Sequence, residues 1–166
     1  AYYRREVDAA LAVRPHLRRA SAGESIPDFT PDTAKSFTRG ESEYFFAGKR
    51  PGVASFDTPK AVGEYVGRVV RVEKNRFRLD RGGLLAAGDG ICFLTDRGFA
   101  GTNVNAADGD CVTPNRMEGI VPGTEVYRNY DHRFNQLLAR SRTRRVIPAS
   151  VLVEATAGGV RFSYTD

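Results

Sequence analysis

Residues 66–94 read VGRVVRVEKNRFRLDRGGLLAAGDGICFL and carry the clearest strand pattern of the chain. Val66 and Val70 share one parity in its first half, and Phe77 and Leu79 resume the alternation with charged neighbours between them. Alternation at period two is typical of strands that bury one face, as in an antiparallel sheet or a small barrel. The stretch therefore predicts short antiparallel strands that close into a small β-barrel.

Glycines mark the turns of this barrel. Gly67 lies at the entry to the first strand, and Gly88-Asp89-Gly90 supplies a turn that glycine takes without strain. Phe93 and Leu94 are then expected to return the chain to the core.

Two helices are expected outside the strands. Residues 2–12 carry apolar positions on one face, and Asp131 is placed to cap a helix of about ten residues. Phe134, Leu137 and Leu138 are predicted to form the buried face of that second helix.

Further strand signals lie beyond the barrel core. Asp108-Gly109 is a strong hairpin turn, Met117–Tyr127 resembles a strand pair around Pro122-Gly123, and residues 151–164 alternate on both sides of Gly158-Gly159 as a hairpin does. The fold class is therefore mainly β with minor α. We divide the chain into an N-terminal helix and connector, 1–36, and a β-barrel module, 37–166. The absence of an initial methionine suggests a fragment of a longer protein.

The charge pattern points to phosphate as one class of partner. The net charge is +5, and 21 of the 25 basic residues are arginine, whose planar guanidinium suits phosphate. A genome that encodes arginine in place of lysine explains the same bias. The clearest cluster has five arginines in thirteen residues with no acidic residue, namely Arg133, Arg140, Arg142, Arg144 and Arg145. It is either a phosphate-facing patch or plain solvated surface.

Aromatic residues concentrate in the entry segment. Phe37, Tyr44, Phe45 and Phe46 fall within ten positions. The basic residues that flank them are Arg39, Lys49 and Arg50. Aromatics interleaved with cations can form a base-stacking platform, and they can equally plug one end of the barrel.

The sequence offers no reaction centre of its own. Cys92 and Cys111 lack metal-ligand spacing, and Cys92 lies in an apolar strand as a small core residue would. His16 and His132 occupy no recognisable triad context. We therefore predict no catalytic residue, metal or cofactor in this chain.

Cysteine usage and hydropathy bear on the compartment. The chain has only two cysteines, and we expect a reducing compartment and a cytoplasmic location. No apolar run approaches the ~20 residues of a membrane span, so no membrane partner is expected.

Several motifs, in order, resemble the accessory region of the collagenase-like peptidase family (unassigned catalytic type, number thirty-two). They are Phe37-Thr38-Arg39-Gly40 with Phe45-Phe46-Ala47-Gly48, Val66-Gly67-Arg68-Val69, LAAGDG from Leu85 to Gly90, and Asp131 through Phe134 to Leu138. The first resembles the family's Phe-Asn-Arg-Gly signature. Thr38 stands where asparagine is usual, and Tyr44 where glycine is common. The strand–GD–strand pattern is also similar to the second domain of elongation factor Tu, at the level of fold alone.

The resemblance implies a non-catalytic region that serves a catalytic domain of the same polypeptide. Members are named for collagen degradation, while others resemble enzymes that hydroxylate a pyrimidine in transfer or ribosomal RNA with prephenate and a cysteine-bound iron–sulfur cluster. Either chemistry belongs to a separate catalytic barrel, so an iron–sulfur cluster is expected only there. Three hypotheses remain: a module that binds structured RNA, part of a protease acting on protein, or a structural docking or dimerisation module.

Overall fold

The computed structural model describes residues 1–20, 22–48, 54, 56 and 58–166. The described residues are mainly β with two helices, as the sequence predicts. In chain order the elements are α1 (Tyr2–Ala12), β1 (Glu24–Ile26), β2 (Glu64–Val72), β3 (Phe77–Leu79), β4 (Gly90–Thr95), β5 (Gly98–Asp108), β6 (Cys111–Pro114), β7 (Glu125–Tyr130), α2 (His132–Arg140), β8 (Arg144–Val146), β9 (Ser150–Thr156) and β10 (Gly159–Thr165).

Six strands close into the predicted barrel. Their order is β2-β3-β6-β5-β4-β7, and every neighbouring pair is antiparallel. The buried core consists of Val66, Val69, Phe77, Leu79, Ile91, Phe93, Val104, Val112, Ile120 and Val126. Each such side chain contributes roughly 1.5–3 kcal/mol of hydrophobic stabilisation when fully buried.

The predicted inward positions are partly wrong because β2 is bulged. Its register with β7 shifts between Tyr65 and Gly67, and its register with β3 shifts between Val69 and Arg71. A bulge adds one residue and so reverses the parity of the residues beyond it in the strand. Val69 is therefore buried and Val70 exposed, contrary to the alternation in the sequence.

Two other core and strand predictions also fail. Leu94 is 58% exposed, whereas Phe93 beside it is buried as expected. Met117–Tyr127 holds no strand pair, because Ile120 N donates to Met117 O at 3.1 Å in a turn and β7 begins only at Glu125.

The chain forms two compact units. The barrel unit is Asp32–Ala139, and the terminal unit combines Ala1–Pro31 with Arg140–Asp166. This division differs from the predicted boundary after residue 36, because β1 pairs with β8 and so joins the N-terminal connector to the chain after α2. Local patterns cannot reveal a pairing between strands so far apart in sequence.

The terminal unit also contains the predicted C-terminal hairpin. β9 and β10 pair in register, with Val151 opposite Tyr164 and Val153 opposite Phe162. These apolar pairs share one face of the hairpin because side chains alternate along a strand, and all four are more than half exposed. No helix among the described residues is long and apolar enough to cross a membrane.

Candidate nucleic-acid interface

The second helix starts against the Gly88-Asp89-Gly90 turn of the barrel, in which Asp89 is buried. Asp89 Oδ2 accepts from Ala86 N at 2.9 Å within the turn that ends at Gly90, and Asp89 Oδ1 accepts from His132 N at 2.9 Å. Gly88 has φ +90°, and a Cβ there would lie 2.9 Å from the ring of His132. The turn therefore reverses the chain and also fixes the position of His132, the first residue of α2.

Asp131 caps this helix as the sequence predicts. Its Oδ1 accepts from Phe134 N at 2.8 Å, which satisfies one of the free amides of the first turn. Phe134 is buried, but Leu137 and Leu138 are 44% and 38% exposed. The predicted buried face is thus wrong beyond Phe134, and the helix is held by its N-terminal turn.

Local sequence patterns do not indicate the buried arginine beneath the helix start. Arg128 is 8% exposed and donates to Glu64 through Nη2. Its Nη1 lies 3.4 Å from Asp131 Oδ2 and 3.6 Å from Asp89 Oδ2, while Lys35 Nζ lies 3.5 Å from Asp131 Oδ2. Three carboxylates from β2, the turn and the helix cap therefore converge on one guanidinium.

These charges set the protonation of the network. Burial alone would raise the pKa of Asp131, but the hydrogen bond from Phe134 N and the charges of Arg128 and Lys35 outweigh it, so the pKa lies below its ordinary value. Burial would lower the pKa of Arg128, and its bond to Glu64 with the three carboxylate charges raises it instead. Asp131 and Arg128 are therefore both charged at neutral pH.

All five arginines of the predicted cluster are exposed. Arg133 belongs to the barrel unit, and the other four belong to the terminal unit. Within the described part of the chain, no carboxylate lies within 4 Å of the guanidinium of Arg133, Arg140, Arg142 or Arg144. Exposed guanidinium groups without a carboxylate partner can donate hydrogen bonds to phosphate oxygens.

The cluster is not uniform. Arg145 donates through Nη2 to Ala22 O, which ties it to its own unit. Arg144, its neighbour on β8, points to the opposite face because strand side chains alternate. Arg144 is therefore freer than Arg145 to contact a ligand.

The backbone at Arg142 is fixed by Asp28. The backbone N of Arg142 donates to Asp28 Oδ2 at 2.6 Å. Hydrogen bonds from the Ser141 hydroxyl and from this N–H lower the pKa of Asp28.

The aromatic entry segment is exposed. Phe37 is 68% exposed and has the Arg39 guanidinium 5.5 Å from its ring centroid. Tyr44 and Phe45 meet edge to face at 4.4 Å, and Phe46 is 96% exposed. The plug interpretation is therefore wrong, and the rings remain available for contacts.

The structure describes one of the three basic residues that flank the aromatics. Arg39 Nη1 donates to Pro59 O at 3.4 Å, which orients it beside Phe37. Lys49 and Arg50 lie outside the residues that the structure describes.

The two cysteines do not fit an iron–sulfur cluster. Cys92 is buried, its thiol donates to Val62 O at 3.3 Å, and burial raises its pKa to about 11. A cluster ligand must be a thiolate, and this environment opposes its formation. Cys111 is a free half-buried cysteine on β6.

The histidines form no hydrolytic constellation in the described chain. The Nε2 of His132 faces Gln136 Nε2 at 2.9 Å, and its backbone N–H donates to Asp89. A triad needs the base within reach of a nucleophile and an orienting carboxylate on the other ring nitrogen. The interpretation of this chain as part of a protease gains no support here.

Fold and surface together define a basic β-barrel module with exposed arginines and exposed aromatic rings. The chain is 34% identical over 160 residues to the 23S rRNA 5-hydroxycytidine C2501 synthase of Escherichia coli (strain K12). The match covers 91% of this chain and 24% of that protein, so the chain spans about a quarter of the length of the curated relative it matches. No family model matches the chain, and no solved structure matches it.

Proposed function

We propose that this chain is a non-catalytic accessory module that binds structured RNA for an RNA-modifying protein. The observation that carries the proposal is its similarity to the 23S rRNA 5-hydroxycytidine C2501 synthase along 91% of the chain. Ribosomal RNA is the first substrate class to test, and transfer RNA is the second.

The electrostatics support this role. Arg133, Arg140, Arg142 and Arg144 are exposed without a carboxylate partner among the described residues, whereas Arg68, Arg76 and Arg81 each have one within 4 Å. A free guanidinium can neutralise a phosphate and release a counterion, while a paired one must first give up its partner. The unpaired group is thus the better electrostatic candidate for RNA contacts.

We propose that the RNA-modifying reaction takes place outside this chain. The relative is about four times longer than the matched segment, and we place the catalytic domain, with any iron–sulfur cluster, in another part of a longer polypeptide. That catalytic domain is the proposed protein partner of this module.

The test compares two triple variants with the same loss of charge. We expect Arg140→Ala/Arg142→Ala/Arg144→Ala to weaken binding of a 23S rRNA fragment by at least about tenfold at physiological salt. The control, Arg68→Ala/Arg76→Ala/Arg81→Ala, removes three carboxylate-paired arginines and should bind within about twofold of the parent chain. Filter binding with the whole chain measures both. No binding of the parent at low salt, or equal losses in the two variants, contradicts the proposal.

A docking role is the second candidate, favoured by the exposure of Phe46 and of the apolar face of the β9–β10 hairpin. Exposed apolar patches commonly mark protein contacts. Phe46→Ser separates the two roles: if the ring stacks on a base, RNA affinity falls, and if it contacts the catalytic domain, RNA affinity is unchanged while association with that domain weakens.

A further inference from the structure

A groove on the outer side of β5 carries no role so far. Three cavities meet at Gly101, with volumes of about 470, 330 and 190 Å³. All of their lining residues belong to the barrel unit. The middle cavity, which we call the β5 groove, is lined by Gly90, Ile91, Gly101, Thr102, Asn103, Asn115, Arg116 and Asn129.

Small residues keep the groove open. Gly101 lies opposite Cys92 in the β4–β5 pairing, and a Cβ there would come within 3.2 Å of Ile91 O. Gly98 and Ala100 line the adjoining cavity on the same strand. A glycine inside a strand, such as Gly101, leaves the backbone open to a ligand that approaches closely.

Three asparagine side chains line the β5 groove. The side chains of Asn103, Asn115 and Asn129 have no hydrogen bond to any described residue, although Asn115 N donates to Asn103 O at 2.7 Å. Each amide offers a donor and an acceptor side by side, which is the pattern that reads the edge of a nucleobase. Amides left free in one cavity are therefore suited to an exposed base.

The charge of the β5 groove favours an anionic ligand. Arg116 has no carboxylate within 4 Å among the described residues, and its backbone N is fixed by Thr102 Oγ1 at 3.0 Å. The β5 groove contains no acidic residue, and Lys60 lines the cavity beyond Asn129. Asp96 and Glu118 line only the cavity of about 470 Å³, which Arg116 lines as well. The carboxylate-free part is where a phosphate would be accepted.

We propose that the β5 groove binds one unpaired ribonucleotide of the bound RNA. Its volume falls within the ~300–1,000 Å³ of small-molecule sites, and a base in a duplex could not present its edge there, whereas an unstacked base can. The asparagines read the base and Arg116 holds a phosphate beside it. This proposal rests on the proposed RNA-binding function and adds the kind of nucleotide recognised.

The test monitors backbone and asparagine side-chain amides of the whole chain by NMR with two probes. A short single-stranded RNA should shift Gly101, Thr102 and the three asparagine side chains, whereas a blunt RNA duplex should leave them unchanged. Asn115→Ala/Arg116→Ala should weaken binding of the single-stranded RNA by about tenfold, since two polar contacts are lost. The matched control is the other Asn-Arg pair, Asn75→Ala/Arg76→Ala, which lies outside the groove and should have little effect.

The outcomes separate this inference from the function on which it rests. If RNA binds but the groove amides do not shift, or if the two double variants lose affinity equally, the groove assignment is overturned and RNA binding stands. If a gelatin peptide shifts the groove and RNA does not, the ligand class is wrong. If neither RNA binds at low salt, the proposed function fails and the groove proposal fails with it.

Discussion

The barrel unit and the terminal unit are stabilised by different forces. Among the described residues, every buried valine, leucine, isoleucine and phenylalanine belongs to the barrel unit. In the terminal unit, α1 has no buried residue, and every residue of β9 and β10 except the half-buried Ser163 is exposed. The barrel is thus stabilised by its own core, whereas the elements of the terminal unit rely on strand pairing and polar contacts. An isolated pair of strands is marginal in water, so Arg144 and Arg145, on the two-stranded β1–β8 sheet, lie on a less stable element than the barrel.

The largest expected effect is on the free energy of unfolding, when one aromatic ring is removed from each unit in turn. Phe77→Ala empties the centre of the barrel and should destabilise the chain by about 3–5 kcal/mol. Phe162→Ala removes a ring that is 58% exposed and should cost less than about 1 kcal/mol. Urea unfolding of both variants measures the difference. Equal losses would mean that the hairpin ring is buried in a core of its own.

The next effect tests the ion-pair anchor. Arg128→Ala leaves the carboxylates of Glu64 and Asp131 without their guanidinium and should cost about 3 kcal/mol, because breaking a buried pair strands a charge. The control is Arg68→Ala, whose partner Glu125 is exposed and whose loss should cost less than about 1 kcal/mol. Thermal unfolding of the two variants compares them. A small effect of Arg128→Ala would show that the network does not hold α2 on the barrel.

The smallest effect is a dependence on pH. Because the pKa of Asp131 lies below its unfolded value of about 3.9, its contribution is present above that value and is lost as the pH falls through the folded pKa. Asp131→Asn keeps an oxygen for the Phe134 amide but lacks the charge. Its stability should therefore fall less steeply than that of the parent between about pH 5 and pH 3. Parallel acid curves would contradict the role of the Asp131 charge.

The barrel and the helix cap could be predicted from local sequence, because period-two alternation and an Asp before a helix act over a few residues. The side of the sheet that each residue faces could not, since the bulges of β2 depend on its two neighbouring strands. The pairing of β1 with β8 joins residues more than a hundred positions apart and leaves no local trace.

The candidate site divides in the same way. Clustered arginines are visible in the sequence, but which of them lack a carboxylate partner depends on the fold. Arg128 looks like any other strand arginine until three carboxylates are brought around it. The three asparagines of the β5 groove come from different strands and a loop, and no spacing links them. Local sequence patterns do not show which residues from distant parts of the chain lie close together in the fold.

If the unpaired arginines make the RNA contacts, as we propose, they must also determine how RNA affinity depends on salt. Each lost phosphate contact should reduce the slope of log affinity against log salt by about 1. Arg140→Ala/Arg142→Ala/Arg144→Ala should therefore lower the slope for a 23S rRNA fragment by about 2–3, while the carboxylate-paired triple variant keeps the parent slope. Identical slopes in all three proteins would contradict the claim.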